Sequence, residues 1–165
     1  MAIDYSLELL TDVEPTEILE FLAEKFDFQW SDETYLVNPG VGVGSFRRTN
    51  DYSLRVLEEE CGFRPTLHVS FRLDKFEHRD YGYHIMLQAT SALLCHIAGD
   101  AALFCPNNTT MLLKRVGDRL ILNSIWFESA PEEIALPHEM EVLPHDASLV
   151  LPFDTSVQRQ HSDLE

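Results

Sequence analysis

Three glycines alternate in the stretch NPGVGVGSFRR, residues 38–48, which ends in two arginines. Glycine-rich turns bind nucleotide phosphates through backbone N–H groups at the start of a helix. Such turns are spaced G-x-G-x-x-G or end in Gly-Lys-Ser/Thr, whereas Gly40, Gly42 and Gly44 follow G-x-G-x-G and lead into strand-like alternation. The pattern therefore predicts that all three glycines lie on one face of a strand, where a helix or a bulky side chain approaches closely.

The polar stretch FRLDKFEHRDYGYH places carboxylates beside histidines, a combination that serves acid–base catalysis or metal binding. It lies at the junction of a predicted strand and a predicted helix, where acids cap helices and pair with bases. It contains no HExxH or comparable ligand spacing. We therefore favour a structural role over a catalytic one for its five candidates, Asp74, Glu77, His78, Asp80 and His84.

A second histidine-bearing stretch, LPHEMEVLPHD, repeats Leu-Pro-His at 136–138 and 143–145. It has no thiol and no second ligand pair, which favours a proline-stiffened acidic surface segment over a metal loop. No Ser-based nucleophile motif occurs in the chain. The sequence thus predicts no catalytic residue, no metal and no cofactor. The metal-loop alternative would use His138, Glu139, Glu141, His145 and Asp146.

The cysteines, Cys61, Cys95 and Cys105, are odd in number and widely spaced, without a CxxC pair. The charged, alternating start MAIDYSLELL is not typical of a signal peptide, so we expect none. This pattern predicts reduced thiols in a cytosol. We expect Cys95 and Cys105 to be buried as small hydrophobic side chains.

The charge is strongly acidic and lies mainly at the two ends of the chain. The net charge is −16. Residues 1–40 hold ten acids and one base, residues 121–165 hold nine acids and one base, and residues 41–120 hold nine acids and ten bases. Such a surface repels nucleic acid and anionic lipid, and it attracts cationic partners. Acidity that only maintains solubility is the alternative.

Acid clusters next to aromatic side chains would suit a surface that docks a basic protein. The acids of the first predicted helix, Glu17, Glu20 and Glu24, are spaced to share its solvent side. Trp126 and Phe127 are the aromatic candidates. The predicted partner-binding residues are Glu58, Glu59, Glu60, Trp126, Glu128, Glu132, Glu133, Glu139 and Glu141.

Hydrophobic periodicity predicts the elements that position these residues. Tyr83–Gly99 is uncharged, but it is short for a membrane span and interrupted by polar residues, so we expect a buried helix. Prolines break the chain after Ser124. The predicted strands are 3–9, 34–37, 41–48, 66–73, 101–105, 109–116 and 119–123, and the predicted helices lie within 13–28, 51–61 and 79–97.

This order predicts an α+β fold in which an antiparallel sheet carries two main helices and ends in hairpin-connected strands. We expect one domain over residues 1–150 and a flexible tail over residues 151–165.

The middle of the chain resembles the Sit immunity proteins of bacterial swarm-inhibition toxin systems. The resemblance spans about 62–123, with a weaker likeness over 1–26. It rests on Phe71-Arg72-Leu73-Asp74-Lys75, on Gly99-Asp100-Ala101-Ala102 and on the hairpin that leads to Leu120–Asn123.

The resemblance implies a cytoplasmic immunity protein that binds the toxic domain of a cognate toxin and blocks it without catalysis. A toxin domain that acts on nucleic acid is basic, and an acidic inhibitor would capture it rapidly. A secretion chaperone or adaptor, which would expose an apolar patch and self-associate, is the main alternative. An enzyme that uses the Asp74–His84 cluster or the 136–146 loop is the third.

Overall fold

The structure is a computed structural model that describes residues 2–75, 78–106, 110–117 and 119–122. The predicted tail over 151–165 and the domain boundary at residue 150 lie outside these ranges. The described elements, in chain order, are β1 Ala2–Leu9, α1 Pro15–Lys25, β2 Gln29–Asp32, β3 Tyr35–Val37, β4 Val41–Arg47, α2 Asp51–Cys61, β5 Leu67–Asp74, α3 Arg79–His96, β6 Ala101–Phe104, β7 Met111–Val116 and β8 Arg119–Leu122.

The eight described strands form one antiparallel sheet in the order β2-β3-β4-β5-β1-β6-β7-β8. The first strand is therefore central, between β5 and β6. Leu7 of β1 faces Val69 of β5 on one side and Leu103 of β6 on the other. The predicted α+β fold with terminal hairpin strands is confirmed.

Strand alternation gives the sheet two different faces. On the first face, Leu7, Val43, Val69 and Leu103 are fully buried and form the main core with the apolar sides of α1 and α3. Ring stacking between Phe21 of α1 and His96 of α3, at a centroid distance of 4.1 Å, joins these two helices.

The second face is covered by α2 over β1, β6 and β7. Cys61 at the end of α2 and Phe63 just after it are buried against Ala102, Phe104 and Met111. Ala102 lies opposite Glu8, so this smaller cluster shares a face with the polar side chains of β1. The sheet is consequently packed on both faces.

Local sequence signals explain where the helices begin and end. Pro15 starts α1, and Asn50 caps α2 by accepting a hydrogen bond from the Ser53 N–H at 3.0 Å. Gly62 ends α2 in the left-handed conformation, with φ of 82°. The C-terminus of α3 is held by Arg115, which donates to the carbonyl oxygens of Leu94, Ile97 and Gly99.

The alternating glycines serve packing, but not all on one face as the spacing predicts. Gly42 and Gly44 lie in β4 and are covered by the Tyr35 ring. Gly40 precedes the strand and packs against the backbone of α3, where an added Cβ would lie 2.8 Å from the Gly82 nitrogen. The single-face prediction is therefore wrong for Gly40, because the Asn38–Gly40 turn changes the direction of the chain before the strand begins.

Two further expectations differ from the structure. The sequence does not indicate β2, whose four side chains are all exposed and so lack apolar alternation. Cys95 is exposed rather than buried, because the last turn of α3 reaches solvent; Cys105 is partly buried and Cys61 is buried.

In the part of the chain that the structure describes, no helix is long and apolar enough to cross a bilayer.

Candidate partner-binding surface

Three polar side chains from three strand regions meet on the second face of the sheet. Glu8 of β1 is 1% exposed. Arg48, just after β4, donates from Nε to Glu8 Oε1 at 3.0 Å and from Nη2 to Oε2 at 2.7 Å. His68 of β5 places Nδ1 2.7 Å from Oε2. The three residues form a buried polar network.

The electrostatics of the network favour an ionised Glu8. Burial raises the pKa of Glu8, but hydrogen bonds from His68 and Arg48 outweigh burial and hold it below the usual 4.5. A contact of 2.7 Å to an ionised carboxylate assigns a proton to His68 Nδ1. The 2.9 Å approach of Arg48 Nη2 to the same nitrogen is then a close contact rather than a hydrogen bond.

A groove of about 350 Å³ opens between α2 and the strands that carry this network. Its floor includes Ser6, Glu8 and Phe104, and Arg48 borders it. The α2 side of the groove is lined by Tyr52, Ser53, Val56, Leu57 and Glu60. We call this concavity the α2 groove.

Exposed apolar side chains lie in and beside the α2 groove. Tyr52 is 73% exposed and Val56, one helical turn later, is 39% exposed. Phe46, 50% exposed, packs against the His68 ring at a centroid distance of 4.6 Å and an interplanar angle of 31°, and its ring centroid lies 5.4 Å from the Arg48 guanidinium carbon. The buried network thus fixes the position of an exposed aromatic ring beside the groove.

The structure places only part of the predicted partner-binding set. Glu58, Glu59 and Glu60 lie in the last turns of α2, and Glu60 lines the groove. Glu59 is exposed, and Glu58 is partly exposed. The other six residues lie outside the described residues: Trp126, Glu128, Glu132, Glu133, Glu139 and Glu141.

The predicted Asp74–His84 cluster is only partly brought together. Asp80 and His84 line a second cleft at the start of α3, with Tyr5 and Cys105. Burial raises the pKa values of Tyr5 and Cys105 to about 12, so both are protonated at neutral pH and Cys105 is a poor nucleophile.

The remaining metal and catalytic candidates, Glu77 and the 136–146 loop, are outside the described residues. Within the described ranges, no three His, Cys, Asp or Glu side chains could together hold a metal ion.

A comparison with protein families decides where this chain belongs. A family model described as SitI3-like matches residues 3–133. The chain belongs to the SitI3-like family. The match covers most of the chain and confirms the resemblance to the Sit immunity proteins. No curated protein and no solved structure matches it.

Sequence reasoning missed the network of this SitI3-like protein. Glu8 is separated from Arg48 and His68 by 40 and 60 residues, and only the β4-β5-β1 pairing joins them. Alternation alone assigns Glu8 and His68 to a solvated face. The sequence nevertheless contains a signal for this burial: the predicted helix 51–61 has an apolar side, and that side needs a sheet surface to pack against.

Proposed function

We propose that this protein is a cytoplasmic immunity protein that binds a cognate bacterial toxin domain through an acidic surface and neutralises it without catalysis. Membership of the SitI3-like family across residues 3–133 carries the proposal. The partner we expect is a basic protein domain, and neither nucleic acid nor a membrane is needed.

The exposure of the acidic side chains supports the proposed acidic surface. Residues 12–33 contain eight acids and a single base, Lys25. The acids are all exposed: Asp12, Glu14, Glu17, Glu20, Glu24, Asp27, Asp32 and Glu33. Together with the net charge of −16, they create a field that accelerates encounter with a cationic partner.

The proposal is tested in two steps. The purified chain is first used as bait in a lysate of its own host, and a partner released by high salt is identified. The C-terminal domain of that partner is then expressed in a sensitive bacterium with and without this chain. Restored growth, together with a direct complex of the two purified proteins, supports the proposal. A toxic partner domain that stays toxic in the presence of the chain contradicts it.

A secretion chaperone is the second candidate, and the exposed apolar residues around the α2 groove are the observation that favours it. A chaperone would bind an unfolded segment and would self-associate. An immunity protein would bind a folded domain. Hydrogen exchange of the captured partner separates the two functions, since only a folded partner domain retains protected amides in the complex.

A further inference from the structure

Exposed apolar side chains are concentrated at one place on this protein. The described residues include seven large apolar side chains with substantial exposure, and Phe46, Tyr52 and Val56 lie in or beside the α2 groove. The other four are on separate segments: Leu10, Trp30, Tyr81 and Val116. Apolar surface that is gathered around a concavity is typical of a protein interaction site, whereas scattered apolar residues are not.

Packing fixes the floor and the borders of the α2 groove. The C-terminal end of α2 is anchored by Cys61, which lies in one buried cluster with Phe104. On the opposite side, the Phe46 ring is tilted against the His68 ring, and Glu8 in turn holds His68 by a 2.7 Å contact. Since these parts are preformed, a docking partner has to order chiefly the exposed Tyr52 side chain.

The charge beside the groove indicates the chemistry of the partner. Helix α2 contains four acids, Asp51 and Glu58–Glu60, against one base, Arg55, and therefore has a net charge of −3. Glu60 lines the groove itself, and Glu59 next to it is exposed. A partner that fills the apolar groove would be favoured if it carried a cation at this end of the helix.

We propose that the α2 groove is the toxin-docking site: it receives an apolar side chain from a basic surface of the toxin domain, and a neighbouring Lys or Arg of that surface contacts the acids at the end of α2. This inference rests on the proposed function. It assigns the central contacts to Tyr52 and Val56 and the electrostatic contacts to Glu59 and Glu60.

The test is the affinity of single variants for the purified cognate toxin domain. Tyr52→Ala and Val56→Ser change exposed side chains and leave the net charge unchanged, so both variants should fold, which circular dichroism and thermal melting will show. We expect each to weaken binding at least tenfold and to reduce growth protection. Tyr81→Ala on α3 and Trp30→Ala on β2 are matched controls, because they truncate exposed aromatic rings that do not line the groove. Helix α3 packs on the first face, and Trp30 pairs with Leu36 of the first-face core. They should change the dissociation constant less than twofold.

Each remaining result separates this inference from the proposed function. If the wild-type chain binds the toxin domain and both groove variants bind equally well, the docking site is wrong while the immunity function stands. If Trp30→Ala alone weakens binding, the docking site is also wrong and moves to β2, the edge strand that carries Trp30 and Asp32. If the wild-type chain fails to bind the toxin domain, the proposed function itself is wrong, and the inference falls with it.

Discussion

Arg48 matters because it pairs with a carboxylate that is almost fully buried. Arg48→Ala removes both guanidinium hydrogen bonds from Glu8 and leaves a buried charge with fewer partners. We expect the free energy of unfolding to fall by about 3 kcal/mol, measured by urea denaturation at pH 7. Arg72→Ala is the control, because Arg72 Nε lies 3.9 Å from Asp4 Oδ1 and both side chains are more than half exposed. This variant should lower the free energy of unfolding by less than about 0.5 kcal/mol. Equal losses would show that the network contributes no more than a surface pair.

The same network predicts how stability depends on pH. The folded-state pKa of Glu8 lies below 4.5, its usual value, so ionised Glu8 stabilises the fold above that pH. This contribution is lost as the pH falls from about 4.5 through the folded-state pKa. Glu8→Gln lacks the titrating group. The stability gap between wild type and Glu8→Gln should therefore shrink below about pH 4.5, relative to its value at pH 5, in urea titrations. A gap that stays constant or widens in acid would contradict the lowered pKa.

Individual side chains were harder to place from sequence than their strands. Alternation puts Leu7 and Glu8 on opposite faces, as the structure confirms, but it cannot tell whether the polar face is solvated. Glu8 is buried because α2 lies near it, and α2 lies there because Cys61 and Phe63 need a surface to pack on. Cys95 shows the opposite error: an apolar run predicts burial, but the helix end exposes the residue.

Elements with a strong apolar period were predictable, and those without one were not. The alternation in β1 and β5 and the helical stripe in α1 each bury one side, so sequence alone locates them. Strand β2 has no buried side chain and forms only by pairing with β3. The central place of β1 also depends on pairings distant in sequence, which no local pattern encodes.

The packing of Gly40 against α3 predicts that alanine costs more stability at Gly40 than at Gly44. An added Cβ at Gly40 would lie 2.8 Å from the Gly82 nitrogen and 2.9 Å from the His78 carbonyl oxygen, and backbone cannot move aside locally. Gly40→Ala should therefore cost about 2 to 3 kcal/mol of unfolding free energy, as expected for overpacking. At Gly44 the nearest atom, 3.2 Å away, belongs to the Tyr35 ring, which can shift. Gly44→Ala should cost about 1 kcal/mol or less. Thermal and urea unfolding of both variants will test this order, and a larger cost at Gly44 would contradict the close helix approach.

The acids of the two described helices α1 and α2 lie on opposite faces of one sheet. Helix α1 lies on the first face with Glu17, Glu20 and Glu24 on its outer side, and α2 lies on the second face with Glu58–Glu60. The long-range field of a net charge of −16 acts on a cationic partner from any direction. Individual acids should affect the association rate beyond this general attraction only if they lie close to the docked partner. At physiological salt, charges that are more than about 8 to 10 Å apart are largely screened from each other.

Two charge-reversed variants with the same net charge can distinguish local from general attraction. Glu59→Lys/Glu60→Lys and Glu20→Lys/Glu24→Lys each change the net charge from −16 to −12. If α2 docks the toxin domain, the α2 variant should associate about tenfold more slowly and depend less on salt, because opposite charges at the contact become like charges. The α1 variant should slow association about twofold or less. Stopped-flow association rates between 20 and 500 mM salt will test this difference. Equal slowing of both variants would mean that only the total charge matters, and a larger effect of the α1 variant would place the partner on the first face.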